Sequence, residues 1–193
     1  GSQNSIGDIG YAGTISTATL SITVSGSSAT FVGTSSVTVA WVALAASPVS
    51  ATAEGYVVQV ATSNDFGGTI ISSASVNIGL STLTITGLTS LTTYYYRVGT
   101  LNWNAQVNYA SSIQTVTKPV GPTGVGVTAI TISTVTLGWT PESGANGYVV
   151  QTATSTDFYT LTQSSSVSGG GAQSAFTVEN LDANTVYYFK VGS

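Results

Sequence analysis

Two long stretches of this chain repeat each other, and that repetition limits what it can fold into more than any other feature. Ser35-Ser-Val-Thr-Val-Ala-Trp41 matches Ser133-Thr-Val-Thr-Leu-Gly-Trp139, and Gly55-Tyr-Val-Val-Gln-Val-Ala-Thr-Ser-Asn-Asp-Phe66 matches Gly147-Tyr-Val-Val-Gln-Thr-Ala-Thr-Ser-Thr-Asp-Phe158. Leu88 to Gly99 likewise matches Leu181 to Gly192. Trp41 and Trp139 lie 98 residues apart, and Tyr56 and Tyr148 lie 92 apart. A period of that length is a domain repeat rather than a solenoid unit. Each copy is long enough to bury a core of its own.

Within each copy the pattern is β. Val37, Val39 and Trp41 alternate with polar or small residues, as do Val135, Leu137 and Trp139. Tyr94, Tyr96 and Val98 alternate with Tyr95 and Arg97, and Tyr187, Phe189 and Val191 with Tyr188 and Lys190. Alternation of period two, rich in Val, Ile, Thr and Tyr and broken by Gly, Ser and Asn, is the strand signature, and several such strands per repeat predict an all-β sandwich. No segment carries helical periodicity.

These residues resemble fibronectin type III domains, once per repeat. In that family a Trp of the second strand and a Tyr of the third pack in the core, and Trp41/Tyr56 and Trp139/Tyr148 match them. A Leu six residues before a Tyr forms the corner ahead of the sixth strand (F), and Leu88/Tyr94 and Leu181/Tyr187 match it. Thr117-Lys-Pro119 resembles the end of the seventh strand (G). The family's usual Pro after the corner Leu is absent, with Ser90 and Asp182 in its place. The resemblance implies two tandem sandwiches and little about function, because such sandwiches host many roles.

The repeats are unequal at one strand. After Gly99 the chain continues through Asn108-Tyr-Ala-Ser-Ser-Ile-Gln-Thr-Val-Thr117, the expected strand G. The second copy is expected to lack that strand. Yet Gly10-Tyr-Ala-Gly-Thr-Ile-Ser-Thr-Ala-Thr19 carries its pattern: Tyr11 aligns with Tyr109, Ile15 with Ile113, Thr17 with Thr115 and Thr19 with Thr117. The expected organisation is a donor segment at 1–19, a complete sandwich at 20–118, and an incomplete one at 119–193. Ile9, Tyr11, Ile15 and Thr17 are the candidate donor residues, and Tyr187, Tyr188, Phe189, Lys190 and Val191 the candidate acceptor edge. Strand addition of this kind restores the backbone ladder and buries alternate side chains. It makes the partner a second copy of the chain, joined head to tail in an open polymer. Such a subunit reads as part of an extracellular filament or cell-surface fibre of a prokaryote. A two-repeat window of a longer covalent array, and an adhesin module that binds carbohydrate or protein, are the alternatives.

Composition narrows the classes further. Only 5% of residues are charged, and Arg97, Lys118 and Lys190 are the only cations. Nucleic acid is excluded as a partner, because phosphate binding needs clustered Lys and Arg. Ser and Thr number 60 of 193 residues, so the surface is largely hydroxyl and backbone and has little charge to resist self-association. No apolar run approaches the ~18 residues needed to span a membrane.

Nothing points to catalysis, a cofactor or a metal. With no Cys or His, a Ser nucleophile has no base. Asp65 and Asp157 recur at equivalent places in different repeats, which suits turns and not a facing carboxylate pair. Gly169-Gly-Gly171 has no Lys behind it and reads as a loop. Asn64, Asp65, Asn180 and Asp182 offer too few oxygens for calcium. Tyr95, placed outward by alternation, and Trp103, in the loop before strand G, are the candidate surface contacts.

Overall fold

The computed structural model describes residues 2–168 and 172–193, so the Gly169–Gly171 loop lies outside the described residues. The chain forms two compact units, each built of antiparallel sheets. A short ribbon precedes them, β1 (Ser2–Gln3) paired with β2 (Ile9–Gly10).

In the first sandwich one sheet has the order β3 (Ser25–Val32), β4 (Ser36–Val42), β7 (Thr82–Thr86). The other runs β10 (Ile113–Val116), β8 (Thr93–Leu101), β5 (Gly55–Ala61), β6 (Ile71–Ser75), and β9 (Val107–Tyr109) also pairs with β8. In the second sandwich the sheets are β11 (Thr123–Ile130), β12 (Val135–Thr140), β15 (Ala175–Val178) and β14 (Leu161–Ser168), β13 (Gly147–Ala153), β16 (Tyr188–Gly192). No α-helix occurs among the described residues; a 3-10 turn spans Val49–Ala51.

The alternation seen in the sequence is the alternation of burial. Val37, Val39 and Trp41 are buried, and so are Leu137 and Trp139. Trp41 packs on Tyr56 with ring centroids 5.0 Å apart, and Trp139 on Tyr148 at 5.2 Å, both tilted by 53°. Each core tyrosine spends its hydroxyl on nearby backbone: Leu44 N–H donates to Tyr56 at 2.7 Å, and Glu142 N–H to Tyr148 at 2.7 Å. Aromatic bulk and a satisfied polar tip let both rings lie deep without an orphaned hydroxyl.

The corners repeat as well. Thr89 N–H donates to the Tyr94 hydroxyl at 3.0 Å, and Asp182 N–H to that of Tyr187 at 3.0 Å. Leu88 N–H donates to Ser35 O and Leu181 N–H to Ser133 O, both at 3.0 Å. Both corners therefore close without proline; Asp182 is the counterpart of Thr89, and Ala183 that of Ser90.

Candidate functional site

The two copies differ along strand F, and that difference builds the site. In the first copy, strand F is β8, and strand G covers its free edge in two pieces. Tyr109, Asn108 and Val107 of β9 stand opposite Gly99, Thr100 and Leu101. The strand expected to run unbroken from 108 to 117 is interrupted at 110–112 and resumes as β10. Its end is pinned: Thr117 N–H donates to Thr92 O at 3.1 Å, the Thr117 hydroxyl donates to Thr89 O at 2.6 Å, and Thr92 N–H donates back to that hydroxyl at 3.0 Å. Under this cover Tyr96 and Val98 are buried.

In the second copy, strand F is β16. It pairs with β13 from Val149↔Gly192 to Ala153↔Tyr188, and no described strand lies on its other side. Phe189 and Val191, the counterparts of Tyr96 and Val98, are only half-buried. Val57 of β5 is 9% exposed, whereas its counterpart Val149 is 42% exposed. β16 starts at Tyr188, so Tyr187 stands outside the strand although the acceptor edge was expected to include it. Its hydroxyl instead serves the corner.

Two clefts mark the uncovered edge. One, of about 500 Å³, is lined by Val125, Val149, Gln151, Phe189, Lys190, Val191 and Gly192. The other, of about 350 Å³, lies between 130–135 and 181–187, around Thr185. Thr185 is the counterpart of Thr92, so this second cleft is where the first copy seats Thr117. Unpaired backbone along an apolar edge is what recruits another strand.

The sheet that contains strand F carries a cation on an aromatic ring in both copies. The Arg97 guanidinium lies 3.9 Å from the ring centres of both Phe66 and Tyr109, and donates to Gln59 Oε1 at 2.8 and 3.1 Å. Burial raises the Tyr109 phenol above its ordinary value, with the Arg97 charge acting in the opposite direction. Lys190 lies 4.0 Å from the Phe158 ring. The aromatic floors are placed by the recurring Asp-Phe turns. Asp65 accepts from the Ser63 hydroxyl and from Gly67 N–H, and Asp157 accepts from Tyr159 N–H. Each turn holds its Phe in the left-handed region at φ 55°.

Those hydrogen bonds depress both carboxyls. Ser63 and then Gly67 lower Asp65, and Tyr159 and then Ser155 lower Asp157. A carboxyl lowered in the fold contributes stability that is complete above its ordinary value and is lost as pH falls through the lowered one. The Asp65→Asn, Asp157→Asn double variant should therefore melt below the parent chain at neutral pH. That gap should close as pH falls through the lowered values of the two carboxyls, where those of the parent become protonated too. Thermal melts across that range check it, and a gap independent of pH would contradict it.

The candidate donor residues are exposed. Tyr11 and Ile15 are 80% and 94% exposed, and no strand is assigned from 11 to 24. The segment expected to be an orphan strand is thus not one in the isolated chain, because a strand needs a neighbour to complete its hydrogen bonds. Ile9 differs in another way: it is taken up by the ribbon with Gln3. The root of the segment is clasped to the first sandwich. Buried Asn102 donates to Thr19 O at 2.9 Å and to Ala18 O at 3.3 Å, Asn108 donates to Ser21 O at 2.8 Å, and Ala18 N–H donates to Asn104 Oδ1 at 3.1 Å.

Of the candidate surface contacts, Tyr95 is half-buried, and so less free than strand alternation suggests. Trp103 is 71% exposed beside a cleft of about 510 Å³ that Thr17, Leu20 and Val49 also line. No cluster of metal-ligating side chains occurs among the described residues, and no helix in them is long and apolar enough to cross a membrane. Phe158 and Gly192 escape a reading of strand patterns. The repeated Asp-Phe pair and the matched cations Arg97 and Lys190 were the available signal.

The fibronectin type III domain family model matches residues 23–117 and 120–193. No curated protein matches the chain. Among solved structures, it is similar to the chicken CNTN1 FN1-FN3 domains, at 19% identity and TM-score 0.47, covering 89% of this chain and 61% of that one. It is also similar to a two-domain fibronectin type III segment of chicken tenascin, at 16% identity and TM-score 0.44, covering 87% and 89%. A third is the central fibronectin-III array of RIM-binding protein, at 17% identity and TM-score 0.39, covering 88% and 61%. The chain thus spans about three fifths of the first and third of these. With its two copies of the core Trp–Tyr pair and of the tyrosine corner, this chain belongs to the fibronectin type III family, as two tandem domains.

Proposed function

We propose that this chain is a self-assembling structural subunit of an extracellular filament or surface fibre, in which residues 10–19 of one copy close the open edge of β16 in the next. One observation carries the reading: the same strand F is sealed in the first copy and open in the second, while the segment with the sealing strand's pattern stands exposed. The donor runs antiparallel to β16, bringing Tyr11 toward Gly192 and Thr19 toward Thr185.

The clasp at the donor's root is compatible with this. It engages the carbonyls of Ala18 and Thr19 and the N–H of Ala18. The N–H and hydroxyl of Thr19 stay free for the roles that Thr117 plays in the first copy. Partial burial of the Tyr11 side chain favours the exchange by less than the ~1.5–3 kcal/mol of full burial, because its counterpart Tyr109 is half-buried, and Ile15 adds little, because Ile113 stays 37% exposed. Backbone bonds, at ~1 kcal/mol each, add to it. Donation from chain to chain is heterologous and propagates.

Deletion of residues 1–17 removes the donor and leaves the clasped root in place. The parent chain should form polymers that denaturant returns to the mass of a single chain. The truncated chain should remain monomeric in sedimentation velocity. Polymers formed by the truncated chain would overturn the reading. So would a denatured mass far above one chain, which would mean that a covalently following segment fills the edge.

A further inference from the structure

We propose that the notch above Gly192 is a socket for the Tyr11 side chain of a second copy, which stacks on Lys190 opposite Phe158 and sets the register of the inserted strand. This rests on the strand-exchange reading and names the contact that aligns it.

The first copy holds the template. A Cβ added at Gly99 would meet the Tyr109 ring at 2.8 Å and also run into Val107, so residue 99 is glycine because the strand-G side chains lie over it. The same tyrosine forms one face of the sandwich that holds Arg97, and Phe66 forms the other.

Gly192 occupies the corresponding place, yet no described residue lies over it. Its φ lies outside the left-handed range, and an added Cβ would meet nothing within 4 Å. Lys190 has Phe158 on one face and open space where Arg97 has Tyr109. A glycine clear of the described residues, a cation stacked on one described ring only and an adjoining apolar cleft together match one half of the Tyr109 site. Tyr11 aligns with Tyr109 and is exposed. A cation between two rings is held more strongly when water is excluded from it.

Gly192→Val tests the socket directly. The new side chain points into open space in the isolated chain, and a β-branched residue suits a strand, so the monomer should fold and melt as before. It would block an incoming ring. Assembly should need at least about tenfold more protein by sedimentation, as it should for Tyr11→Ala, while Tyr11→Phe, which keeps the ring, should assemble like the parent. The chain has no cysteine, so a Gly10→Cys, Ser193→Cys double variant, which keeps Tyr11 and Gly192 and corresponds to the Asn108↔Thr100 pair of the first copy, reports register independently. Under mild oxidation it should give a ladder of disulfide-linked multimers, and Gly10→Cys paired with Thr185→Cys should not. If loss of residues 1–17 abolishes assembly but Gly192→Val and Tyr11→Ala assemble normally and the off-register pair crosslinks, the socket is wrong and strand exchange stands. If the chain lacking 1–17 assembles, both fall.

Discussion

Appending a copy of residues 101–117 directly after Ser193 should raise the melting temperature of the second sandwich sharply and hold the chain as a monomer. Ser193 is the counterpart of Thr100: the Thr100 hydroxyl donates to Ile22 O at 2.7 Å, and the Ser193 hydroxyl to Val120 O at 2.8 Å. The appended segment therefore starts where strand F hands over to strand G in the first copy. It brings its own turn, in which the Asn102 side-chain oxygen accepts from the N–H groups of Asn104 and Gln106 at 3.0 and 2.8 Å. It also brings Tyr109 for the notch and Thr117 for the cleft at Thr185. Half-burial of Val107 and Tyr109, each worth less than the ~1.5–3 kcal/mol of full burial, and several backbone bonds suggest a gain of about 3 kcal/mol. For a domain of this size 1 kcal/mol is worth about 4–8 °C. A rise on the order of 20 °C in calorimetry is expected, with loss of polymers. A closed chain that still polymerises would mean that assembly uses a surface other than the β16 edge.

The second large effect is on the core. Trp139→Ala should abolish the cooperative melting of the second sandwich while the first keeps its transition. Removing a buried Trp costs about 3–5 kcal/mol, against a total of about 5–15 kcal/mol for a domain. The second sandwich starts with less reserve, because Phe189 and Val191 are half-covered where Tyr96 and Val98 are buried. In the parent chain it should therefore melt first. Trp41→Ala removes the equivalent ring from the closed copy and should lower its transition without erasing it. Near-ultraviolet circular dichroism and calorimetry separate the two, and equal effects would show that the open edge does not weaken the second core.

What the sequence determined by itself is the part written in local periodicity. Period two along 35–41 and 133–139 reports which side chains face inward, because a strand's geometry turns every second residue to the same face. The Trp–Tyr pairs and the Leu–Tyr corners recur with constant spacing because each is a single local packing solution used twice. The match of 10–19 to 108–117 was equally legible, as was the absence of any base, thiol or basic patch.

Tertiary structure alone decided the rest. That strand G breaks at 110–112, that β16 begins only at Tyr188, and that residues 11–24 take no strand all depend on which backbone groups find partners far along the chain. The clasp of Asn102 and Asn108 on 18–21 joins residues more than 80 positions apart, and no local pattern announces it. Gly192 makes the same point. By composition it is one glycine of 22. Only set against Gly99, over which Tyr109 rests, does the open space above Gly192 stand out, because what covers a strand residue comes from across the sheet and not from what is adjacent in sequence.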